Sequence, residues 1–247
     1  MMTSENHGIE FYNHESKTAN ESALPLLKAF FNALGSTPNS LIDIGCGVGA
    51  FLKAAEHLGV KEIQGLDGDY VPQNQLLIAQ EKFQSVDLTL DLTLKDFKKK
   101  YDVAICLEVA EHIPSQYSEI FVKNLTKCSD LILFSAAIPG QPGTNHINCQ
   151  WPNYWNHLFK KFNYTMIDNI RRTIWDNEKI SYWYAQNVFS VCKHEKINYY
   201  FNHLNINELP PQSLVHPMLY QDYMRELINR KKSKLGKLQS WIWKVIP

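Results

Sequence analysis

Short apolar runs recur along the first 195 residues, and stretches with apolar residues at helical spacing separate them. Runs of this length, bounded by glycine, proline or polar residues, predict buried strands. The predicted strands lie near 41–45, 62–67, 84–88, 102–107, 130–135, 164–168 and 187–192. Strands that alternate with helices are typical of a parallel sheet with helices on both faces, so the pattern predicts an α/β protein.

The same pattern predicts how the chain is organised. Apolar residues at helical spacing predict a helix over 16–34, in which Pro25 is tolerated near the first turn. Residues 39–195 form the predicted core, and 208–247 a helical extension at its end. Residues 139–160 are a long insertion after the fifth strand. At this length, we expect residues 1–247 to form a single domain.

A glycine-rich turn follows the first predicted strand. The segment Leu41–Leu52 reads L-I-D-I-G-C-G-V-G-A-F-L, with glycines at 45, 47 and 49. Glycine permits positive φ and lets a ligand approach the backbone closely. In an open α/β sheet such a turn is typical of a site for a nucleotide-like cofactor.

Two cofactors fit this turn. Gly45-x-Gly47-x-x-Ala50 agrees with the loose dinucleotide fingerprint, and Asp67 at the end of the second strand suits a ribose diol, so NAD remains a candidate. Asp43, inside the first strand, favours a cofactor that carries a cation and an amino group, because it would repel a pyrophosphate. S-adenosylmethionine is such a cofactor.

Two later segments agree with the second candidate. Asp87 lies at the end of the third predicted strand, where it suits an adenine amino group, and Leu88 would line the ring. The fourth strand begins the run Y-D-V-A-I-C-L-E-V-A-E-H-I-P from Tyr101 to Pro114. With D-I-G-C-G-V-G, G-L-D and V-D-L before it, this run resembles the ordered motifs of class I S-adenosylmethionine-dependent methyltransferases.

The resemblance implies a fold, a cofactor and a binding site. The fold is Rossmann-like: a seven-stranded, mostly parallel sheet with helices on both faces, an antiparallel last strand and an insertion after strand five. The cofactor is S-adenosylmethionine. The residues implied to bind it are Asp43, Gly45, Cys46, Gly47, Gly49, Asp67, Gly68, Asp87, Leu88 and Leu107.

The second half of the chain carries a narrower resemblance. The segments 131–146, Gln150–Trp155 and Trp183–Asn187 are similar to small bacterial methyltransferases encoded beside genes for surface-polysaccharide (capsule or O-antigen) assembly. This similarity covers nearly the whole chain. It implies O-methylation of a carbohydrate or a nucleotide-activated precursor.

A sugar hydroxyl is a very weak acid, so its methylation needs a base or a metal. The candidate catalytic residues are Glu108, Glu111 and His112 after the fourth strand and His146 in the loop after the fifth. E-x-x-E-H with a later histidine resembles the metal site of ubiquinone-biosynthesis O-methyltransferases and small-RNA 2′-O-methyltransferases. The resemblance implies that these four residues hold a divalent ion such as Mg²⁺ or Mn²⁺.

A metal-free interpretation stands beside it. Glu111 and His112 would then cap and orient a helix, and Glu108 would lie beneath the cofactor. His146, in a loop of Pro, Gly, Thr and Asn, suits a general base with a pKa near neutrality, or is a surface histidine. A nitrogen or phosphoramidate acceptor would need less activation. In a different functional class, an NAD-dependent oxidoreductase also remains.

An aromatic stripe and a pair of arginines each have two interpretations. The aromatic residues at 151, 155, 159 and 162 predict either a ligand-stacking surface or a buried helix face, with the core favoured. Arg171 and Arg172 suit either a phosphate or a solvated surface.

The charge balance and the cysteines indicate which partners and which cellular compartment the sequence favours. Lys and Arg total 25 against 25 acids, which argues against a general nucleic-acid binder. Five cysteines without a CxxC pair, and no apolar run of membrane-spanning length, predict reduced thiols in a cytoplasmic protein. From Arg225 to Pro247, seven basic residues accompany one acid. This amphipathic segment predicts peripheral contact with a membrane or another anionic partner, or docking on its own domain or a second subunit.

Overall fold

The computed structural model describes residues 9–205 and 210–229, with side chains from Thr18 onward. Its strands form one seven-stranded sheet in the order β3-β2-β1-β4-β5-β7-β6. The strands are β1 Ser40–Ile44, β2 Glu62–Asp67, β3 Phe83–Ser85, β4 Val103–Leu107, β5 Leu131–Ser135, β6 Tyr164–Ile167 and β7 Phe189–Lys193. Strand β7 is antiparallel to both β5 and β6, and the other pairs are parallel. The predicted fold class is confirmed.

Helices lie between the strands and around the sheet. They are α1 Ile9–Leu34, α2 Ala50–His57, α3 Leu94–Phe97, α4 Ser118–Cys128, α5 Pro152–Lys161, α6 Arg171–Ile174, α7 Tyr182–Asn187 and α8 Ile197–Phe201. Helix α1 ends where the sequence predicts but begins at Ile9 rather than residue 16. The helix that the metal-free interpretation places at Glu111 and His112 is instead a 3-10 turn, Ala110–His112, and α4 begins only at Ser118.

Two hydrophobic clusters cover the two faces of the sheet. Successive side chains of a strand point to opposite faces, so Leu41 joins the cluster that contains Phe30 of α1, and Ile42 joins the cluster that contains Trp155 of α5. All five residues of β1 are buried. A near-continuous apolar strand buried on both faces is typical of a parallel sheet covered by helices.

Helix α5 confirms the core interpretation of the aromatic stripe. Trp155 and Phe159 are buried against Phe134 of β5, with ring centroids 5.6 and 5.2 Å apart. Trp151 precedes the helix and is 41% exposed.

Arg171 is a structural residue. It is buried, it forms an ion pair with Asp168, and its guanidinium lies 4.3 Å from the ring centroid of Phe189. Because Arg171 is buried and these contacts occupy its side chain, both the phosphate-binding and the solvated-surface alternatives are wrong for Arg171. Arg172 is exposed.

The chain divides into two compact units, Met1–Ser213 and Leu214–Pro247. In the second unit residues 217–229 form a helix. The predicted extension 208–247 falls partly outside the described residues, at 208–209 and 230–247. Among the described helices, none is long and apolar enough to cross a membrane.

Candidate active site

The strand order reverses direction between β1 and β4, and ligands of open α/β sheets bind at the carboxyl ends of such strands. The glycine turn after β1 lies there. Gly45, Gly47 and Gly49 have φ of 82°, 52° and 90°. A Cβ on Gly45 would lie 2.4 Å from a methyl of Val109, in the loop after β4. Gly45 therefore allows the turns after β1 and β4 to pack in contact.

Asp67, the last residue of β2, is fixed by the turns beside it. Its Oδ2 accepts a hydrogen bond from the Gly47 amide at 2.6 Å. Its Oδ1 accepts from the Gly68 amide at 2.7 Å and from the Tyr70 hydroxyl at 2.6 Å. A carboxylate oriented by two main-chain amides is a preorganised acceptor for a ligand diol. Sequence reasoning missed Tyr70, although G-L-D-G-D-Y places its hydroxyl three residues after the acid.

Gly68 makes the Tyr70 contact sterically possible, because a Cβ there would lie 2.1 Å from the tyrosine ring. Asp43 and Cys46 are buried beside the same turn. Burial and the neighbouring charge of Asp67 raise the pKa of Asp43 well above its usual value. A cationic ligand would favour the ionised form of Asp43, in agreement with the predicted cofactor chemistry.

The remaining predicted cofactor residues lie at the same edge of the sheet, at the carboxyl ends of β3 and β4. Asp87 follows β3, and its Oδ1 accepts hydrogen bonds from the Thr89 hydroxyl at 2.6 Å and the Thr89 amide at 2.9 Å. The hydroxyl contact contributes most to lowering the pKa of Asp87. Leu88 and Leu107 are buried, and Leu107 ends β4. The fold thus brings all ten predicted cofactor residues to the ends of four adjacent strands.

Three of the four predicted metal ligands form a group. Glu111, His112 and His146 each offer a ligand atom within 4.8 Å of the others. His146 Nε2 lies 4.0 Å from Glu111 Oε1, and the two imidazole centroids are 5.1 Å apart. The loop that carries His146 is tied to this place because the amides of Ile147 and Asn148 donate to the Glu111 carbonyl oxygen at 3.0 and 2.9 Å.

Main-chain carbonyl groups orient both imidazoles. His112 Nδ1 lies 3.2 Å from the Asn145 carbonyl oxygen, and His146 Nδ1 lies 3.2 Å from the Gln141 carbonyl oxygen. A carbonyl oxygen only accepts, so Nδ1 carries a proton, and in the neutral ring Nε2 then carries the lone pair. Metal-binding histidines have this second contact in most sites. Burial lowers the pKa of His146, which favours the neutral ring that a base or a ligand requires.

The surroundings of the Glu111 carboxylate indicate whether a cation fits between Glu111, His112 and His146. Its side chain is fully buried, and within the described structure neither carboxylate oxygen has a hydrogen-bond partner. Burial, followed by the charge of Glu108, raises its pKa well above the usual value. A buried carboxylate of this kind is costly unless it is protonated or faces a cation. One carboxylate and two imidazoles are a donor set that suits a divalent ion such as Mn²⁺ or Zn²⁺.

Glu108 is placed differently. Gln141 Nε2 donates to its carboxylate at 2.8 Å, and Asn187 Nδ2 donates at 3.2 Å. It stands outside the three-residue group in the described structure. Burial is the main cause that raises the pKa of Glu108 to about 7. This arrangement agrees better with the metal-free role that the sequence allowed for Glu108 than with a ligand role.

Gln141 joins Glu108 to His146. Its side chain holds the glutamate, and its carbonyl oxygen orients the histidine. Asn187 Nδ2 also donates to Gln141 Oε1 at 2.8 Å, and Gln186 Nε2 donates to Asn187 Oδ1 at 2.9 Å. Sequence reasoning assigned no role to Gln141, Gln186 or Asn187. The sequence pointed to them only by position: Gln141 lies in the loop after β5, and Gln186 and Asn187 end the W-Y-A-Q-N segment.

The switch point, the glycine turn and the acid at the end of β2 define the class of Rossmann-like proteins. A family model described as "Methyltransferase domain" matches residues 12–187. The chain belongs to this methyltransferase family. Family membership decides between the two predicted functional classes in favour of methyl transfer and against an oxidoreductase.

Individual relatives agree with this placement. A ubiquinone biosynthesis O-methyltransferase of Glaesserella parasuis serovar 5 is 29% identical over 197 residues, which cover 74% of this chain and 78% of that protein. A magnesium-protoporphyrin O-methyltransferase of Synechocystis sp. is 26% identical over 140 residues, 53% of this chain and 58% of that protein. The resemblance to methyltransferases is confirmed at the level of the family, whereas the names of these relatives do not support the narrower resemblance to polysaccharide-cluster enzymes.

The solved structures show the fold. Magnesium protoporphyrin IX methyltransferase from Synechocystis, crystallised with bound SAH, aligns with a TM-score of 0.55 and 18% identity, covering 74% of this chain and 87% of that one. A small-RNA methyltransferase structure aligns with a TM-score of 0.51 and 16% identity, covering 68% of this chain and 25% of that one.

Proposed function

We propose that this chain transfers the methyl group of S-adenosylmethionine to an oxygen atom of a small-molecule acceptor. The observation that carries the proposal is Asp67, which the Gly47 and Gly68 amides hold beside the glycine turn in a chain of the methyltransferase family. Known structures of this fold with bound SAM or SAH support the choice of cofactor.

The proposed reaction is an in-line displacement. The acceptor oxygen forms a bond to the methyl carbon while the carbon–sulfur bond breaks, and its electron pair stays on sulfur to give S-adenosylhomocysteine. The enzyme must hold the acceptor close to the methyl carbon and remove the acceptor proton. Where no metal is bound, His146 Nε2 is the proposed proton acceptor, because the Nδ1 contact with the Gln141 carbonyl leaves the lone pair on Nε2.

A divalent ion would be held by Glu111, His112 and His146, with His146 Nε2 as a ligand rather than a base. When bound, it would lower the pKa of an acceptor hydroxyl so that the hydroxyl proton is lost to water. Glu108 is not a metal ligand in this proposal; it follows the carboxyl end of β4, and Gln141 and Asn187 hold its carboxylate by hydrogen bonds. In the metal-free form of the proposal, Glu111 instead stays protonated, and His146 alone takes the proton.

The first candidate acceptor is a carbohydrate hydroxyl, free or in a nucleotide-activated precursor. This candidate rests only on the sequence similarity of the segments 131–146 and Gln150–Trp155 to polysaccharide-cluster methyltransferases. The second candidate is an oxygen acceptor of the kind used in ubiquinone biosynthesis. It is supported by the relative of that name, which matches 74% of this chain. A panel of nucleotide sugars and catechol-type compounds, assayed by mass spectrometry for an added methyl group, distinguishes them.

The cofactor is tested by calorimetry with Asp67→Asn. We expect S-adenosylmethionine and S-adenosylhomocysteine to bind the unchanged chain and NAD not to bind. Losing the charged acceptor at Asp67 should weaken binding by roughly 1.5–3 kcal/mol, the range for hydrogen bonds to charged groups. Asp69→Asn is the matched control, because Asp69 is an exposed neighbour and the charge change is the same. NAD binding without a response to either sulfur ligand would refute the cofactor assignment.

A further inference from the structure

Exposed apolar side chains are concentrated in one short segment of the chain. Of fifteen large hydrophobic side chains that are exposed in the described structure, seven lie between Leu214 and Ile228. They are Leu214, Val215, Met218, Tyr220, Tyr223, Met224 and Ile228. Single exposed apolar residues are ordinary, but a concentration of them marks an interaction surface.

The helix of residues 217–229 arranges several of these side chains in a stripe. Tyr220, Tyr223, Met224, Leu227 and Ile228 follow the spacing i, i+3, i+4, i+7, i+8, so they share one face. Tyr220 and Tyr223 are 59% and 50% exposed. The helix therefore presents an apolar stripe to its surroundings.

The sequence that follows this helix is strongly basic. Residues 230–247, which lie outside the described residues, contain six Lys or Arg and no acid. The whole chain has 25 basic and 25 acidic residues, so residues 1–229 contain 19 basic and 25 acidic ones. The formal charges are thus −6 before residue 230 and +6 after it. A segment with this charge attracts an anionic partner.

The end of the chain adds aromatic and aliphatic residues to the basic ones. Trp241 and Trp243 flank Ile242, and Val245 and Ile246 follow. Nucleic acid would satisfy the positive charge but offers no apolar phase for these residues or for the helix stripe. An anionic bilayer surface offers phosphate groups to the lysines and an apolar boundary to tryptophan and aliphatic side chains.

We propose that residues 214–247 bind the surface of an anionic phospholipid bilayer. The stripe from Tyr220 to Ile228 enters the boundary between headgroups and acyl chains, and the basic sequence that follows supplies the charge that attracts lipid phosphates. The apolar runs among the last residues are far shorter than the roughly 20 residues needed to span a bilayer, so this contact is peripheral. The proposal does not depend on which acceptor the methyltransferase unit uses.

Cosedimentation of the full chain with vesicles tests this binding. We expect binding to vesicles of phosphatidylcholine with phosphatidylglycerol, weakening as salt is added, and no binding to phosphatidylcholine alone. Neutralising Lys231, Lys232, Lys234 and Lys237 together by glutamine should lower the lipid partition coefficient at least roughly tenfold. The double variant Tyr223→Ser with Ile228→Ser should lower it as well, because it removes two members of the stripe.

A matched control changes four exposed lysines of the other unit, Lys61, Lys95, Lys160 and Lys179, to glutamine. This control alters the net charge equally and should bind vesicles like the unchanged chain. Calorimetry with S-adenosylhomocysteine monitors folding of each variant separately from lipid binding. Equal loss in both quadruple variants, or no binding to anionic vesicles at low salt, would overturn the proposal. Retained vesicle binding in the Tyr223/Ile228 variant together with displacement by RNA would overturn it in favour of nucleic acid.

Discussion

At the scale of single residues, Gly45 allows the two turns that border the proposed cofactor site to pack against each other. Gly45 has a left-handed backbone, and the space where its Cβ would lie is filled by Val109. The position therefore has two independent reasons to exclude a side chain, one conformational and one steric. The steric reason is invisible in the sequence, since Val109 lies 64 positions further along the chain.

Gly45→Ala should lower the free energy of unfolding by roughly 2–6 kcal/mol, because backbone strain and overpacking each contribute about 1–3 kcal/mol. Gly59→Ala is the control, since Gly59 has a φ of 97° but no atom within 4 Å of its Cβ position. Urea denaturation of both variants separates strain from packing. Equal losses in the two variants would show that the Val109 contact contributes nothing.

His146→Ala should lower turnover by ~10²–10⁴, the usual contribution of a positioned base. Its affinity for S-adenosylhomocysteine should be nearly unchanged, because His146 is not among the residues at the cofactor edge. His157→Ala, at an exposed histidine of α5, provides the control for loss of an imidazole. Near-normal turnover of His146→Ala on the true acceptor would contradict the role proposed for this ring.

At the scale of elements, the loop between β5 and α5 determines how the group of Glu111, His112 and His146 is assembled. The loop hydrogen-bonds to the turn that carries Glu111, and its Gly143 leaves room for the histidine ring. A Cβ on Gly143 would lie 2.1 Å from His146 Nε2, the nitrogen that the proposal uses. Gly143 does not have positive φ, so alanine meets only this steric obstacle.

Gly143→Ala should therefore reproduce much of the loss seen in His146→Ala while the protein stays folded. Turnover and Mn²⁺ affinity, measured side by side, check this expectation, with Pro142→Ala as a neighbouring control. If Gly143→Ala turns over acceptor and binds Mn²⁺ like the unchanged chain, the imidazole does not act from the position seen here.

The elements themselves were largely predictable. Strand periodicity and the glycine turn are local signals, so β1 and the turn at Gly45 lie where the sequence placed them. The amide pair Gln141 and Asn187 was not predictable, because 46 residues separate them and they meet only after β7 enters the sheet between β5 and β6. The short 3-10 turn after β4 was also missed, since its residues have no periodic pattern that distinguishes it from a helix start.

At the scale of the whole molecule, buried acids give the stability an unusual dependence on pH. Burial raises the pKa values of Asp43, Glu108 and Glu111 above their usual values. The folded protein then holds more protons than the unfolded chain, so the free energy of unfolding falls as pH rises. For Glu108 the pKa rises from 4.5 to about 7, so its share of this loss of stability falls between these two pH values.

In chelator, the protein should be more stable near pH 5 than near pH 7.5, the reverse of a protein whose carboxylates form ion pairs. Glu111→Gln should raise stability at the higher pH and flatten the dependence, because the amide has no charge to bury. Glu81→Gln, at an exposed acid, is the control. Thermal denaturation at several pH values measures the slope, and a stability that increases with pH through this window would contradict the expectation.

Both imidazoles of the proposed site are oriented by carbonyl oxygens of the main chain, at Gln141 and Asn145. A main-chain contact survives replacement of the side chain that carries it, so natural variation can alter the acceptor loop without loosening the histidines. Asn145 is restricted in this respect, since its φ of 57° favours asparagine, aspartate or glycine. Descendants of this chain could therefore diversify their acceptors through the loop side chains while inheriting the same reactive geometry.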